Sequence, residues 1–131
     1  MVCRGVVSLD GIIRLRRVLL PIDHQPNAQE AVIRAVQAAE AFGDDVVEVV
    51  LLHVSGGALP QLNHPESPAC VWKESRREGD VVAVILDAAR EADLIIMPTE
   101  GRHGVFDAFR GSVTERVVRG APCPVLAVPA I

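Results

Sequence analysis

The chain has 131 residues, half of them apolar, and a formal net charge of −4 at pH 7. This length is enough for one domain with a sizeable core, and the apolar share favours a globular chain over a disordered one. The negative charge argues against non-specific nucleic-acid binding, which needs a basic surface. One Trp and three Phe also leave few rings on which bases could stack. No apolar run is long enough to span a membrane.

The amino-terminal segment, residues 1–16, is interpreted as an extension that precedes a single domain at 17–131; the alternative is an added edge strand. Asp10 and Arg14 interrupt any apolar stretch there, so no signal peptide is predicted. The three cysteines of the chain are an odd number without paired spacing, which argues against a disulfide framework. A cytoplasmic protein is therefore expected.

The first half of the chain predicts strand, helix and strand. An apolar run at 18–22 is typical of a buried strand. Apolar residues then recur at helical spacing, in a helix that Pro26 is expected to open in its first turn and Gly43 to end. The β-branched run at 46–54 predicts a second, central strand.

The second half begins with a loop. Residues 55–69 contain two Gly and three Pro, so the connection to the third strand is expected to lack a helix. The remaining elements are an edge strand at 70–75, a helix capped by Asp80, a strand at 94–97 that breaks at Pro98, a helix at 112–119 and a fifth strand at 125–128. Strands that alternate with helices predict an α/β fold, a parallel sheet with helices on both faces.

Five short segments occur in order along the chain. They are VLLPID at 18–23, the helix ending near Gly43, LLHV at 51–54, DLIIM at 93–97, and GSVTE at 111–115 running into APCPVL at 121–126. Together they resemble the universal stress protein family. The resemblance implies an adenine-nucleotide α-hydrolase-like fold with a five-stranded sheet in the order 3-2-1-4-5. It also implies a homodimer that pairs through the C-terminal strand.

ATP-binding members of that family carry a glycine, two residues, a second glycine, nine residues, and a third glycine followed by Ser or Thr. This chain matches the pattern from the second glycine onward. The resemblance implies phosphate contacts from Gly101, Gly111, Ser112, Val113 and Thr114, because glycine admits backbone close to an oxyanion and a helix start attracts one. The alternative is structural: residues 112–115 form a capping box, and the glycines serve turns.

Two residues depart from the family pattern. Pro98 stands where the first glycine belongs, and it has no N–H to donate. Glu100 brings a carboxylate that repels a triphosphate unless a metal lies between them. Arg102, His103 and Arg110 act in the opposite sense, because they can pair with phosphates.

Four further positions match the family's nucleotide site. Asp23 ends the first strand, where it would bind the ribose or adenine or help place a metal; the alternative is a helix-capping carboxylate. Pro21, Val54 and Met97 match positions that line adenine and ribose, and their alternative is ordinary core packing.

The leading hypothesis is a small homodimeric protein of the stress response that binds ATP, with Mg²⁺, or retains a degenerate nucleotide site. The alternative is a dimeric adaptor of the same family that binds no nucleotide. An enzyme such as a slow ATPase ranks last, because no general base is evident. The four histidines lack metal-ligand spacing, so no metal ligands are assigned.

Overall fold

The computed structural model describes residues 14–100 and 113–130. Within them the strands are β1 (Leu15–Pro21), β2 (Gly43–Val54), β3 (Cys70–Arg77), β4 (Leu94–Thr99) and β5 (Val125–Pro129). The helices are α1 (Gln29–Phe42), α2 (Val81–Ala88) and α3 (Val113–Gly120), with a 3-10 turn at Ala89–Glu91. All strand pairs are parallel, in the order β3-β2-β1-β4-β5. The predicted α/β fold class and strand order are confirmed.

The core has two layers because side chains alternate along each strand. On β1, Val18 and Leu20 join the cluster that contains the buried stripe of α1. Leu19, between them, joins the cluster that contains Ile85 of α2 and Val117 of α3. Burying each such side chain stabilises the fold by roughly 1.5–3 kcal/mol. The sheet therefore has helices on both faces, as predicted.

Helix α1 begins later than the sequence suggested. The side-chain oxygen of Asn27 accepts a hydrogen bond from the N–H of Gln29 at 2.8 Å, and the helix starts there. Pro26 lies in the preceding turn, so its prediction as a first-turn residue is wrong. Gly43 ends the helix as predicted: an added Cβ would lie 2.5 Å from the carbonyl oxygen of Ala39, so only glycine fits there.

Strand β4 runs through Pro98 to Thr99, which corrects the expected break at Pro98. Proline is tolerated in strands where its missing N–H is not needed by a neighbour. The pairing of β4 with β1 covers Leu94 and Ile95 only, so Pro98 lies beyond it, opposite Val128 of β5.

The remaining connections match the predictions. Residues 55–69 contain no helix, and β3 lies at the sheet edge. The Asp80 carboxylate caps α2 by accepting a hydrogen bond from the N–H of Ala83 at 3.0 Å. No helix among the residues that the structure describes is both long and apolar enough to cross a membrane.

Candidate functional site

A cavity of about 260 Å³ lies at the carboxyl ends of β1, β2 and β4. The chain runs outward from β1 to β2 and β3 and then crosses back to β4 on the other side of β1, so the strand order reverses between β1 and β4. Open parallel sheets bind ligands at such points. The cavity is lined by Pro21, Ile22, Asp23, Gln25, Pro26, Leu52, Val54, Val81, Ile85, Met97, Pro98, Thr99, Glu100, Val113 and Thr114.

The site residues predicted from the sequence fall into two sets. Those that line this cavity are Pro21, Asp23, Val54, Met97, Val113 and Thr114. Gly101, Gly111 and Ser112 lie outside the described residues, as do Arg102, His103 and Arg110. Residues from both ends of the predicted glycine loop, Glu100 and Val113, line the same cavity as Asp23. A ligand contact by any of them remains a prediction.

The inner wall of the cavity is apolar. Leu52 of β2, Ile85 of α2 and Met97 of β4 are almost fully buried, with exposed fractions of 1%, 1% and 4%. They belong to the core cluster on the α2 face of the sheet, so the packed core fixes their positions. Walls of this kind, with a few polar groups at the rim, suit an aromatic ring that carries a polar substituent.

Asp23 lies at the rim of the cavity and is exposed. Its Oδ1 accepts a hydrogen bond from the N–H of His24 at 2.7 Å. The alternative that Asp23 caps α1 is wrong, because Ala28 occupies the N-cap position. The chain makes a turn of several residues between β1 and α1, which carries the aspartate away from the helix and leaves it beside the cavity.

The two residues that depart from the family pattern also line the cavity. Pro98 presents a ring without an N–H. Glu100 is exposed and adds a second carboxylate to that of Asp23. Two carboxylates at one rim disfavour phosphate oxygens unless a cation lies between them, and carboxylate oxygens are ligands that Mg²⁺ accepts.

Thr99, which is not among the site residues predicted from the sequence, also lines the cavity. It is 5% exposed, and its Oγ1 has no hydrogen-bond partner among the residues that the structure describes. Alternation along β4 places it on the same face as Met97, a signal that the sequence did contain. Its missing partner could be found only from the three-dimensional packing.

His53 near the end of β2 has a structural role. It is buried, and its Nδ1 lies 3.2 Å from the carbonyl oxygen of Ile22. The N–H of Ile22 donates to the carbonyl oxygen of Leu52 at 2.8 Å. These two contacts hold the end of β1, where the cavity begins, against β2.

A second depression, here called the charged groove, lies across β1, β2 and β3 on the α2 side. Its volume is about 440 Å³. Its ion pairs are Arg17 to Glu48 at 2.9 Å, Lys73 to Glu48 at 3.0 Å, Arg77 to Asp87 at 3.0 Å, Arg17 to Glu91 at 3.3 Å and Arg90 to Asp87 at 3.7 Å. The hydrogen bond from Lys73, assisted by the charges of Arg17 and Lys73, lowers the pKa of Glu48 against the opposing effect of burial.

Residues 14–100 and 113–130 contain no group of three or more His, Cys, Asp or Glu side chains that could hold a metal ion. The two carboxylates at the cavity rim are therefore too few to form a protein-only cation site. A cation there would need further ligand atoms from a bound molecule or from water.

Comparisons with known proteins agree with the family resemblance and with the fold. The model of the universal stress protein family matches residues 61–129. A universal stress protein of Synechocystis sp. is 30% identical over 93% of this chain and 90% of its own length. Another, from Methanocaldococcus jannaschii, is 29% identical over 92% of this chain and 88% of its own.

Solved structures of universal stress proteins share the fold, and two of them serve as examples. The universal stress protein UspA from Lactobacillus plantarum superposes with a TM-score of 0.65 at 22% identity, over 88% of this chain and 98% of its own. A universal stress protein in complex with cAMP gives a TM-score of 0.65 at 20% identity, over 89% of this chain and 98% of its own. The likeness shows the adenine-nucleotide α-hydrolase-like fold for this chain.

Proposed function

We propose that this chain, which belongs to the universal stress protein family, binds an adenine nucleotide in the cavity and acts as a cytoplasmic regulator of the stress response, without catalysis. One observation carries the proposal. The cavity lies where the strand order reverses, and it brings together Asp23 after β1, Met97 on β4 and the start of α3. Those elements are far apart in the sequence, so a shared cavity is a specific arrangement.

The lining suggests how the nucleotide would sit. Leu52, Ile85 and Met97 offer an apolar wall for the adenine ring. The Asp23 carboxylate at the rim would accept hydrogen bonds from ribose hydroxyls or hold a cation. The first residues of α3, Val113 and Thr114, line the cavity, and a helix start favours phosphate through its free N–H groups and dipole.

A nucleotide is also the ligand of a structural neighbour, because one universal stress protein of the same fold is in complex with cAMP. That protein is only 20% identical to this chain. It therefore supports a nucleotide as the class of ligand, but it does not indicate how many phosphates the nucleotide carries.

An adaptor that binds no nucleotide is the second candidate. The observation in its favour is that Pro98 and Glu100 line the cavity, where one removes a donor and the other adds a negative charge. Replacing both, in a Pro98→Gly and Glu100→His variant, restores the family pattern and should strengthen nucleotide binding.

Titration calorimetry with AMP and ATP, each with Mg²⁺, separates the two candidates. A thermal-unfolding scan with the same ligands gives a second readout, since a ligand that binds the folded state raises the midpoint by mass action. Binding by the natural chain supports the proposal. Binding by the double variant alone favours an adaptor that has lost its nucleotide. Absence of binding in both overturns the assignment of the cavity.

We also propose a homodimer through β5. In the described part of the chain no strand lies beyond β5, so its outer backbone groups are unpaired, and Leu126 is 42% exposed. A two-fold partner would cover both. Sedimentation should give twice the chain mass at micromolar concentration, and Leu126→Lys should give one chain mass. A single-chain mass for the natural protein contradicts the dimer.

A further inference from the structure

Thr99 lines the cavity, and its hydroxyl is buried without a hydrogen-bond partner in the described part of the chain. Of the described side chains that line the cavity, Thr99 is the one with a fully buried polar atom that makes no hydrogen bond. Folded proteins pair nearly all such groups, because leaving one unpaired costs roughly 1–3 kcal/mol. An unpaired group beside a cavity of ligand size indicates that the ligand supplies its partner.

The position of Thr99 narrows the part of the ligand that it meets. Its side chain is on the same face of β4 as that of Met97, roughly 7 Å further along the strand. With the adenine ring against Met97 and Leu52, atoms at that distance belong to the sugar or its first phosphate. Both offer acceptor oxygens, and a threonine hydroxyl can donate to either.

The residues on either side of Thr99 in the chain offer no side-chain donor to a ligand, so the Thr99 hydroxyl matters more for binding. Pro98 has no N–H, and Glu100 carries a negative charge that cannot donate. Among the side chains of Pro98, Thr99 and Glu100, the Thr99 hydroxyl is therefore the one group that can donate a hydrogen bond to a ligand oxygen.

We propose that Thr99 Oγ1 donates a hydrogen bond to an oxygen of the sugar–phosphate part of the bound nucleotide. This inference rests on the proposed function. Thr99 is then a specificity-determining residue that compensates in part for the donor missing at Pro98.

The test is Thr99→Val, which keeps the shape of the side chain and removes the hydroxyl, with Thr99→Ser as the matched control that keeps it. Calorimetry with adenine, adenosine and AMP measures affinity, and thermal unfolding without ligand measures stability. Thr99→Val should weaken AMP binding by about tenfold. The unfolding midpoint of the free protein should be unchanged or higher, because a buried unpaired hydroxyl has been removed. Thr99→Ser should bind AMP as the natural chain does.

The ligands distinguish the two oxygen sources. An equal loss for adenosine and AMP assigns the bond to the sugar, and a loss for AMP alone assigns it to the phosphate. The inference is overturned if Thr99→Val binds AMP normally, if the loss extends equally to adenine, or if the free protein is destabilised as in a purely structural role. Failure of the natural chain to bind any of the three ligands overturns the proposed function instead.

Discussion

The cavity and the charged groove differ in how their polar groups are used. The charged groove is larger, about 440 Å³ against about 260 Å³, and it carries more charged side chains. Yet its Arg17, Lys73 and Arg77 all form ion pairs with carboxylates of the groove itself. The Nε of Arg17 makes no hydrogen bond within the residues that the structure describes, but it lies 2.9 Å from the Glu48 carboxylate, which balances its charge. In the cavity, the Thr99 hydroxyl has no partner. By volume and number of charged side chains, the groove would be the expected binding site. The unpaired hydroxyl of Thr99 favours the cavity instead.

The difference has a physical reason. A charge that is already paired must lose that partner before it can bind a ligand, so a groove of ion pairs gains little from one. An unpaired buried group gains a full hydrogen bond when a ligand arrives. We therefore propose that the charged groove contributes to stability and that the cavity is the binding site.

The largest expected effect is a loss of stability on replacing Asp93. This residue is hydrogen-bonded to β1, the strand that contributes residues to both the cavity and the charged groove. Its Oδ2 accepts hydrogen bonds from the N–H groups of Arg16 and Arg17 at 2.9 and 3.0 Å. Asp93→Ala leaves both N–H groups without this acceptor and should lower the free energy of unfolding by about 2–4 kcal/mol. Denaturant unfolding measures the loss. Asp93→Asn, which keeps an acceptor oxygen, should lose clearly less; equal losses would show that these bonds are not the cause.

A smaller effect is expected in the charged groove. Glu48→Gln removes two ion pairs of a half-buried carboxylate and should cost about 1 kcal/mol of unfolding free energy. Nucleotide affinity should not change, because Glu48 does not line the cavity. A loss of affinity comparable to the loss from a cavity variant would break the assignment of the groove to stability.

The pH dependence of stability tests the contribution of the same Glu48 ion pairs. Because Lys73 and Arg17 lower the pKa of Glu48 from its ordinary value of 4.5, its contribution to stability is complete above about pH 4.5. It is lost as the pH falls through the lowered pKa. The stability difference between the natural chain and Glu48→Gln should therefore shrink below pH 4.5. A constant difference down to pH 3 would contradict this account of the ion pairs.

The smallest effect is expected at the exposed end of the groove. Arg77 pairs with Asp87 at 3.0 Å, and both side chains are largely exposed, at 44% and 59%. Arg77→Gln should change the free energy of unfolding by less than about 0.5 kcal/mol, because exposed pairs are screened by water. Denaturant unfolding at low and high salt checks this. A loss above 1 kcal/mol would mean that the groove is more rigid than its exposure indicates.

Local patterns in the sequence predicted much of the fold. Apolar runs located the strands, and Asp80 and Gly43 marked helix ends, because each depends on neighbours within a few residues. The Pro98 break was wrong because tolerance of proline depends on which partner strand reaches that position. Here that strand is β1, which is distant in the sequence and pairs only with Leu94 and Ile95 of β4.

The site was only partly predictable for a similar reason. Asp23 and Met97 could be named because they match positions of the family's nucleotide site, and their place beside one cavity follows from the strand order. Asp93 and Thr99 were missed. The role of Asp93 depends on backbone groups 76 and 77 residues earlier, and that of Thr99 on the absence of a partner in the packed structure.

The most direct test of the central claim is calorimetric titration of AMP with Mg²⁺ into three proteins: the natural chain, Asp23→Asn in the cavity and Glu48→Gln in the charged groove. The account predicts that Asp23→Asn loses about tenfold or more in affinity, because a charged acceptor is removed from the rim, while Glu48→Gln binds as the natural chain does. The opposite pattern, with affinity lost in Glu48→Gln and kept in Asp23→Asn, would contradict the assignment of the cavity as the binding site.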